Sequence, residues 1–266
     1  MRPLRLLATL TALSLAASAT AQDADWEVID RGSTVAAAVS FDSGIAVVVR
    51  CDDESLETYI VGLATVPDKD DPDRRTIQYA FGDRPLRAST WQVSENGQTL
   101  FADLPAPLAR RFRQGGDLQL QLAGEESAPP RRYIVSLPPS RAAIDQVLSA
   151  CGRPAIDPRD ELRRSESSAT LSQALPQGPS WARLPRPIYP NRALRDGLSG
   201  MAVLSCLTLD DGGLEDCRIE VERPAGKGFG PAAVRAAENA QLRSDEPYQH
   251  VLDSGLVNFT VRFSLH

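Results

Sequence analysis

The residues best placed to do chemistry in this chain are four cysteines: Cys51, Cys151, Cys206 and Cys217. None forms a C-x-x-C pair. The two histidines, His250 and His266, both fall near the C-terminus. That pattern gives little support to a zinc centre, and no metal or cofactor is expected. An even cysteine count suits two disulfides in an oxidising compartment, with three pairings open. Other chemistry is thin. Gly197-Leu198-Ser199-Gly200 lacks the G-x-S-x-G spacing of a nucleophile elbow, and no histidine base lies in the middle of the chain. Asp68-Lys69-Asp70-Asp71-Pro72-Asp73 lacks the EF-hand glycine, and Tyr79 stands where the distal glutamate would be. It reads as a solvated acidic loop, and Asp52-Asp53-Glu54 reads as a turn. The chain is expected to bind a partner, not to be an enzyme.

The N-terminus points to an exported chain. Arg2 and Arg5 precede an apolar run from Leu6 to Ala17, followed by small residues at Ala19 and Ala21. This is the pattern of a secretory signal peptide, residues 1–21, cut after Ala21. A retained membrane anchor is the alternative. It would need about 20 mostly apolar residues, and this run is shorter and diluted by Thr and Ser. Export would place the cysteines in the periplasm. With 29 basic and 35 acidic residues the net charge is −6, and no basic run could follow a phosphate backbone, so nucleic acid is not an expected partner.

The cysteines must be held by two kinds of element. Residues 22–152 read as a β-rich domain, a sandwich or small barrel. Ile77-Tyr79-Phe81, Trp91-Val93, Leu118-Leu120-Leu122 and Tyr133-Val135-Leu137 alternate with period two. Ile45 to Val49 is apolar throughout, as a strand covered on both faces would be. Asn96-Gly97 predicts a hairpin. After Pro138-Pro139, Ser140 can cap a terminal helix. Ala143, Ile144, Val147, Leu148 and Cys151 share one face of that helix, and Gly152 ends it. Trp91 reads as core, and Trp181 as packing under the second domain. Residues 153–182 are rich in Ser, Pro and charge and read as a linker, with a short helix near Glu161.

Residues 183–266 read as an α+β domain. A short helix follows Pro190, strands run from Met201 to Leu209 and from Leu214 to Glu222, and a helix starts near Gly230-Pro231. A closing strand carries Val257, Phe259, Val261 and Phe263 in alternation. If Asp211-Gly212 is a two-residue turn, Cys206 lies opposite Cys217, close enough for a bridge. That register favours Cys206–Cys217 and leaves Cys51 for Cys151, one bridge per domain.

Residues 187 to 265 resemble the C-terminal domain of the TonB energy-transducer family. Tyr189-Pro190 followed by Ala193 is similar to its opening Tyr-Pro-x-x-Ala. Gly197, Gly200 and Val203 fit its glycine and first-strand pattern. Asp211-Gly212 matches its turn, and Phe229 to Ala233, continued by Val234 and Ala237, matches its helix start. Asn258-Phe259-Thr260-Val261-Arg262-Phe263 is similar to its closing strand. The resemblance implies a three-stranded antiparallel sheet with a helix, in the envelope of a Gram-negative bacterium. It also implies a protein partner, an outer-membrane receptor or another envelope protein, gripped by β-strand addition. Tyr189, Val257, Asn258, Phe259, Thr260, Val261, Arg262 and Phe263 would carry that contact. In the family this binding serves energy-dependent transmembrane transport. Here no histidine precedes residue 250, the linker is short, and Gln241-Leu242 stands where the family has an aromatic. The binding half of the family's work is what carries over. The alternative is a structural envelope protein that self-associates, for example as a homodimer. The residues 22–152 resemble, more loosely, proteobacterial envelope proteins that end in a strand, a short helix and Cys-Gly.

Overall fold

The computed structural model describes residues 25–63, 73–122, 130–166, 180–245, 252 and 255–265. Residues 1–24, on which the expected signal peptide falls, both histidines and most of the acidic run at 68–73 lie outside the described residues. Among the described residues no helix is long and apolar enough to cross a membrane.

The chain is mostly β, in antiparallel sheets. Its first part is one nine-stranded sheet. The strands are β1 (Glu27–Arg31), β2 (Thr34–Ser40), β3 (Ala46–Asp52), β4 (Ser55–Val61), β5 (Arg74–Phe81), β6 (Arg87–Val93), β7 (Thr99–Phe101), β8 (Gly116–Leu122) and β9 (Arg131–Leu137). Their order is β1-β2-β3-β4-β7-β6-β5-β8-β9. This corrects the sandwich-or-barrel expectation: there is a single sheet, and β1 and β9 do not pair. The sheet curls instead. Trp26, just before β1, donates its indole N–H to the carbonyl of Pro138, just past β9, at 2.9 Å.

The expected alternations all turn inward. Ile77, Trp91, Leu118, Leu120, Leu122, Val135 and Leu137 are buried, with Tyr79, Phe81, Val93 and Tyr133 packed against them. Asn96-Gly97 closes the β6–β7 hairpin. In β3 the period-two rule overrides the continuous apolar run. Val47, Val49 and Cys51 are buried in the core, while Ala46 and Val48 are only half-buried on the other face.

Two helices fill the hollow of the sheet. The first, α1 (Pro105–Phe112), falls where the sequence pattern predicts β-structure. Pro105 and Pro107 look like breakers, but proline is tolerated in a helix's first turn. Ala106, Leu108, Ala109 and Phe112 are buried, and Phe112 is stacked near Trp26 and Phe81. The second, α2 (Arg141–Ala150), packs on β2 and β3 through Ala143, Ile144, Val147 and Leu148. Ser140 occupies its N-cap position, but its side chain makes no capping bond. Gly152, at φ +61°, ends it. Gly152 N–H donates to Ser149 and Arg153 N–H to Leu148, the paired bonds of a left-handed helix ending.

The second part holds its own core. Its elements are α3 (Arg159–Glu166), β10 (Trp181–Arg183), α4 (Asn191–Arg195), β11 (Gly200–Thr208), β12 (Leu214–Arg223), α5 (Phe229–Ala237), β13 (Gln241–Leu242) and β14 (Leu256–Phe263). The main sheet has the order β12-β11-β14, and β10 pairs with β13. Helix α5 lies on β11 and β12. Trp181 and Tyr189 extend that layer over β14: their rings meet Phe259 at 5.0 Å and Phe263 at 5.7 Å.

The hairpin between β11 and β12 differs from the expected two-residue turn. Leu209 N–H donates to Gly213 at 2.9 Å, so three residues, Asp210, Asp211 and Gly212, form the loop. A bulge at Asp216, with φ +42°, then restores the offset, and Ser205 faces Arg218. The cysteines still meet. Gly212 is at φ +82°, and a Cβ there would sit 2.4 Å from the Leu242 carbonyl, because the turn docks against β13. Glycine is required on both counts.

Candidate functional site

The two disulfides join Cys51 to Cys151 and Cys206 to Cys217. The first ties the end of β3 to the end of α2. The second ties β11 to β12 beside the bulge. Two bridges indicate an oxidising, exported compartment. Among the described residues no cluster of three His, Cys, Asp or Glu could hold a metal ion. Ser199, the residue of the elbow-like sequence, has its hydroxyl near the Leu265 N–H at 3.4 Å, a packing role at the sheet's end.

Strand β14 brings together seven of the expected partner-contact residues. Val257, Phe259, Val261 and Phe263 point into the core, and Asn258, Thr260 and Arg262 lie on the opposite face. On one side β14 pairs with β11 from Gly200↔Phe263 to Leu207↔Leu256. On the other side no strand among the described residues pairs with it.

The phase of the ladder decides which backbone groups face outward. Thr208 N–H donates to Gly255 O at 3.3 Å, so the opposed pair 208/255 is of the hydrogen-bonded kind. Such pairs recur every second residue. Residues 257, 259, 261 and 263 therefore bond to β11, whereas Asn258 and Thr260 aim their N–H and C=O away from it. Neither has a backbone partner there among the described residues. The Asn258 side-chain oxygen is also buried without a hydrogen bond.

Tyr189 stands apart from this edge. Its hydroxyl donates to Leu198 O at 2.6 Å, and its ring packs edge-on against Phe229 and Phe263. It braces the end of β14 from the core side.

The other face of the sheet, which carries Ser205, is braced by residues 153–166, read from sequence as linker. Asp157 accepts the α3 N-terminal N–H of Arg159 at 3.0 Å. Asp157 also pairs with Arg110 of α1 at 3.5 Å and with Arg218 of β12 at 3.0 Å. Arg159 is buried, donates to the Ser205 carbonyl at 3.1 Å and pairs with Asp216 at 2.6 Å. Ser205 in turn donates to Glu220, the extra residue of a second bulge, at 2.5 Å. Further along β12, Arg223 lies over the Phe101 ring at 4.6 Å and within 3.6 Å of Glu57. Burial lowers its guanidinium pKa, against the pull of the Glu57 and Asp103 carboxylates. These contacts hold β12, one sheet edge, against β4 and α1, whereas β14, which α3 also touches, has no paired strand on its outer side among the described residues. Sequence reasoning missed the brace because its signal was a scatter of charges, Arg110, Asp157, Arg159 and Arg218, far apart in the chain.

No protein-family model matches the chain, and no curated protein or solved structure matches it.

Proposed function

We propose that this chain is a periplasmic protein, released by cleavage after Ala21, that binds an outer-membrane or other envelope protein by β-strand addition to β14. The observation that carries the reading is the outward aim of the Asn258 and Thr260 backbone groups on an edge strand with a fully packed inner face. An edge of this kind offers main-chain bonds to an extended peptide. The likeness of residues 187 to 265 to the TonB C-terminal domain supports the same mode of contact. The inner face serves stability and the backbone edge serves binding, so sequence preference would come from Asn258, Thr260 and Arg262.

The test is a photo-crosslinking amino acid placed at Thr260 in cells, with and without Asn258→Pro. Proline at Asn258 removes an outward N–H and no bond to β11, so the fold is retained. The expected result is a crosslink to an envelope protein that the proline abolishes. A crosslink of undiminished yield would overturn β-addition, and a crosslinked homodimer would favour the self-associating alternative.

A further inference from the structure

A second surface of the same part carries a different chemistry. Residues 184–188, which follow β10, run as an irregular segment beside α5, and between them lies a cleft of about 560 Å³, within the size range of binding clefts. Arg183, Arg186 and Arg235 line it against a single carboxylate, Glu238, in a chain whose net charge is −6. Arg183 is anchored on the Asn239 carbonyl. The Arg186 and Arg235 side chains have no hydrogen-bond or ion-pair partner among the described residues. Leu184 and Ile188, 63% and 83% exposed, stand on the rim. Exposed apolar side chains are ordinary when isolated, but here two flank two unpaired guanidiniums.

The geometry points to an acidic peptide segment of a protein partner as the occupant, with carboxylates on Arg186 and Arg235 and apolar side chains on Leu184 and Ile188. Charge complementarity selects the acid, because guanidinium forks grip carboxylates in paired bonds. Pro185 and Pro187 deny the segment 184–188 the regular N–H row that strand addition needs, so recognition is by side chains. This contact is separate from the β14 edge and stands whether or not that edge binds a strand.

The experiment is calorimetric titration of the full-length oxidised protein, at low salt, with a blocked pentapeptide alternating glutamate and leucine. Its glutamine counterpart and phosphatidylglycerol vesicles form the other arms. Saturable binding of the glutamate peptide is expected, weakened about tenfold or more in the glutamine peptide and in Arg186→Glu/Arg235→Glu, since each loses charge-assisted bonds. Thr260→Pro should leave it unchanged, which separates this site from β14. Binding that survives Arg186→Glu/Arg235→Glu, no saturable peptide binding, or binding to vesicles alone would each overturn the assignment.

Discussion

Removing the Cys51–Cys151 bridge should cost more stability than removing Cys206–Cys217, by an amount that follows from the two loops they close. The bridges span 100 and 11 residues. In the chain-entropy account the closed loop restricts the unfolded chain in proportion to the logarithm of its length. This gives about 4.7 kcal/mol for the long loop and about 2.8 for the short one at 25 °C. Cys51, Cys151 and Cys206 are all buried, so alanine replacement leaves a void at either bridge and the difference between them rests on the loops. The comparison is between Cys51→Ala/Cys151→Ala and Cys206→Ala/Cys217→Ala. Urea unfolding is followed by the fluorescence of Trp26 and Trp91, which sit in the first core, and of Trp181, which packs on the second. The expected difference is about 2 kcal/mol, with the Cys51/Cys151 variant the weaker. Equal losses, or the reverse order, would refute the assignment of the long bridge as the main staple between helix and sheet.

Three further outcomes follow from particular contacts. Gly200→Ala should destabilise by about 1–3 kcal/mol in thermal unfolding, because its Cβ would meet the Phe229 ring at 2.3 Å and the Arg223 carbonyl at 2.6 Å. Arg159→Met should cost about 2–3 kcal/mol by leaving the Ser205 and Asp216 carbonyls without their donor, and should speed proteolysis within 153–166. Burial raises the Tyr79 phenol above its ordinary value of 10.0, against a smaller pull from Arg87. A raised folded pKa means that this contribution to stability is whole below the unfolded value and is lost as pH rises through the folded one. Urea midpoints should therefore fall above pH 10.0, and Tyr79→Phe should flatten that fall.

Much of the fold could be read from periodicity. The inward sets on β5, β6, β8, β9 and β14 and the helix ending at Cys151-Gly152 follow from residue spacing, and the assumed hairpin register favoured the two disulfides that the structure has. What escaped was governed by longer-range effects. Helix α1 hides behind Pro105 and Pro107, whose tolerance depends on their falling in a first turn. The curl that makes one sheet enclose two helices is a property of nine strands together, which no single strand's pattern records. The hairpin loop is one residue longer than the Asp211-Gly212 turn predicts, and Cys206 still meets Cys217 because the bulge at Asp216 offsets that extra residue. The brace at 153–166 carries too little apolar surface to look folded, and it is held by charge pairs to residues dozens of positions away. For the β14 edge, sequence alternation separates Val257, Phe259, Val261 and Phe263 from Asn258, Thr260 and Arg262. Only the ladder phase with β11 tells which backbone groups are left for a partner.

The most direct measurement is residue-resolved amide hydrogen exchange across β14 in the isolated oxidised protein. Val257, Phe259 and Val261 donate to β11 and should exchange slowly, while Asn258 and Thr260, aimed outward, should exchange rapidly. That alternation is what an edge awaiting a strand must show. If Asn258 and Thr260 exchange as slowly as their neighbours, the edge is already covered and the proposal of strand addition to β14 fails.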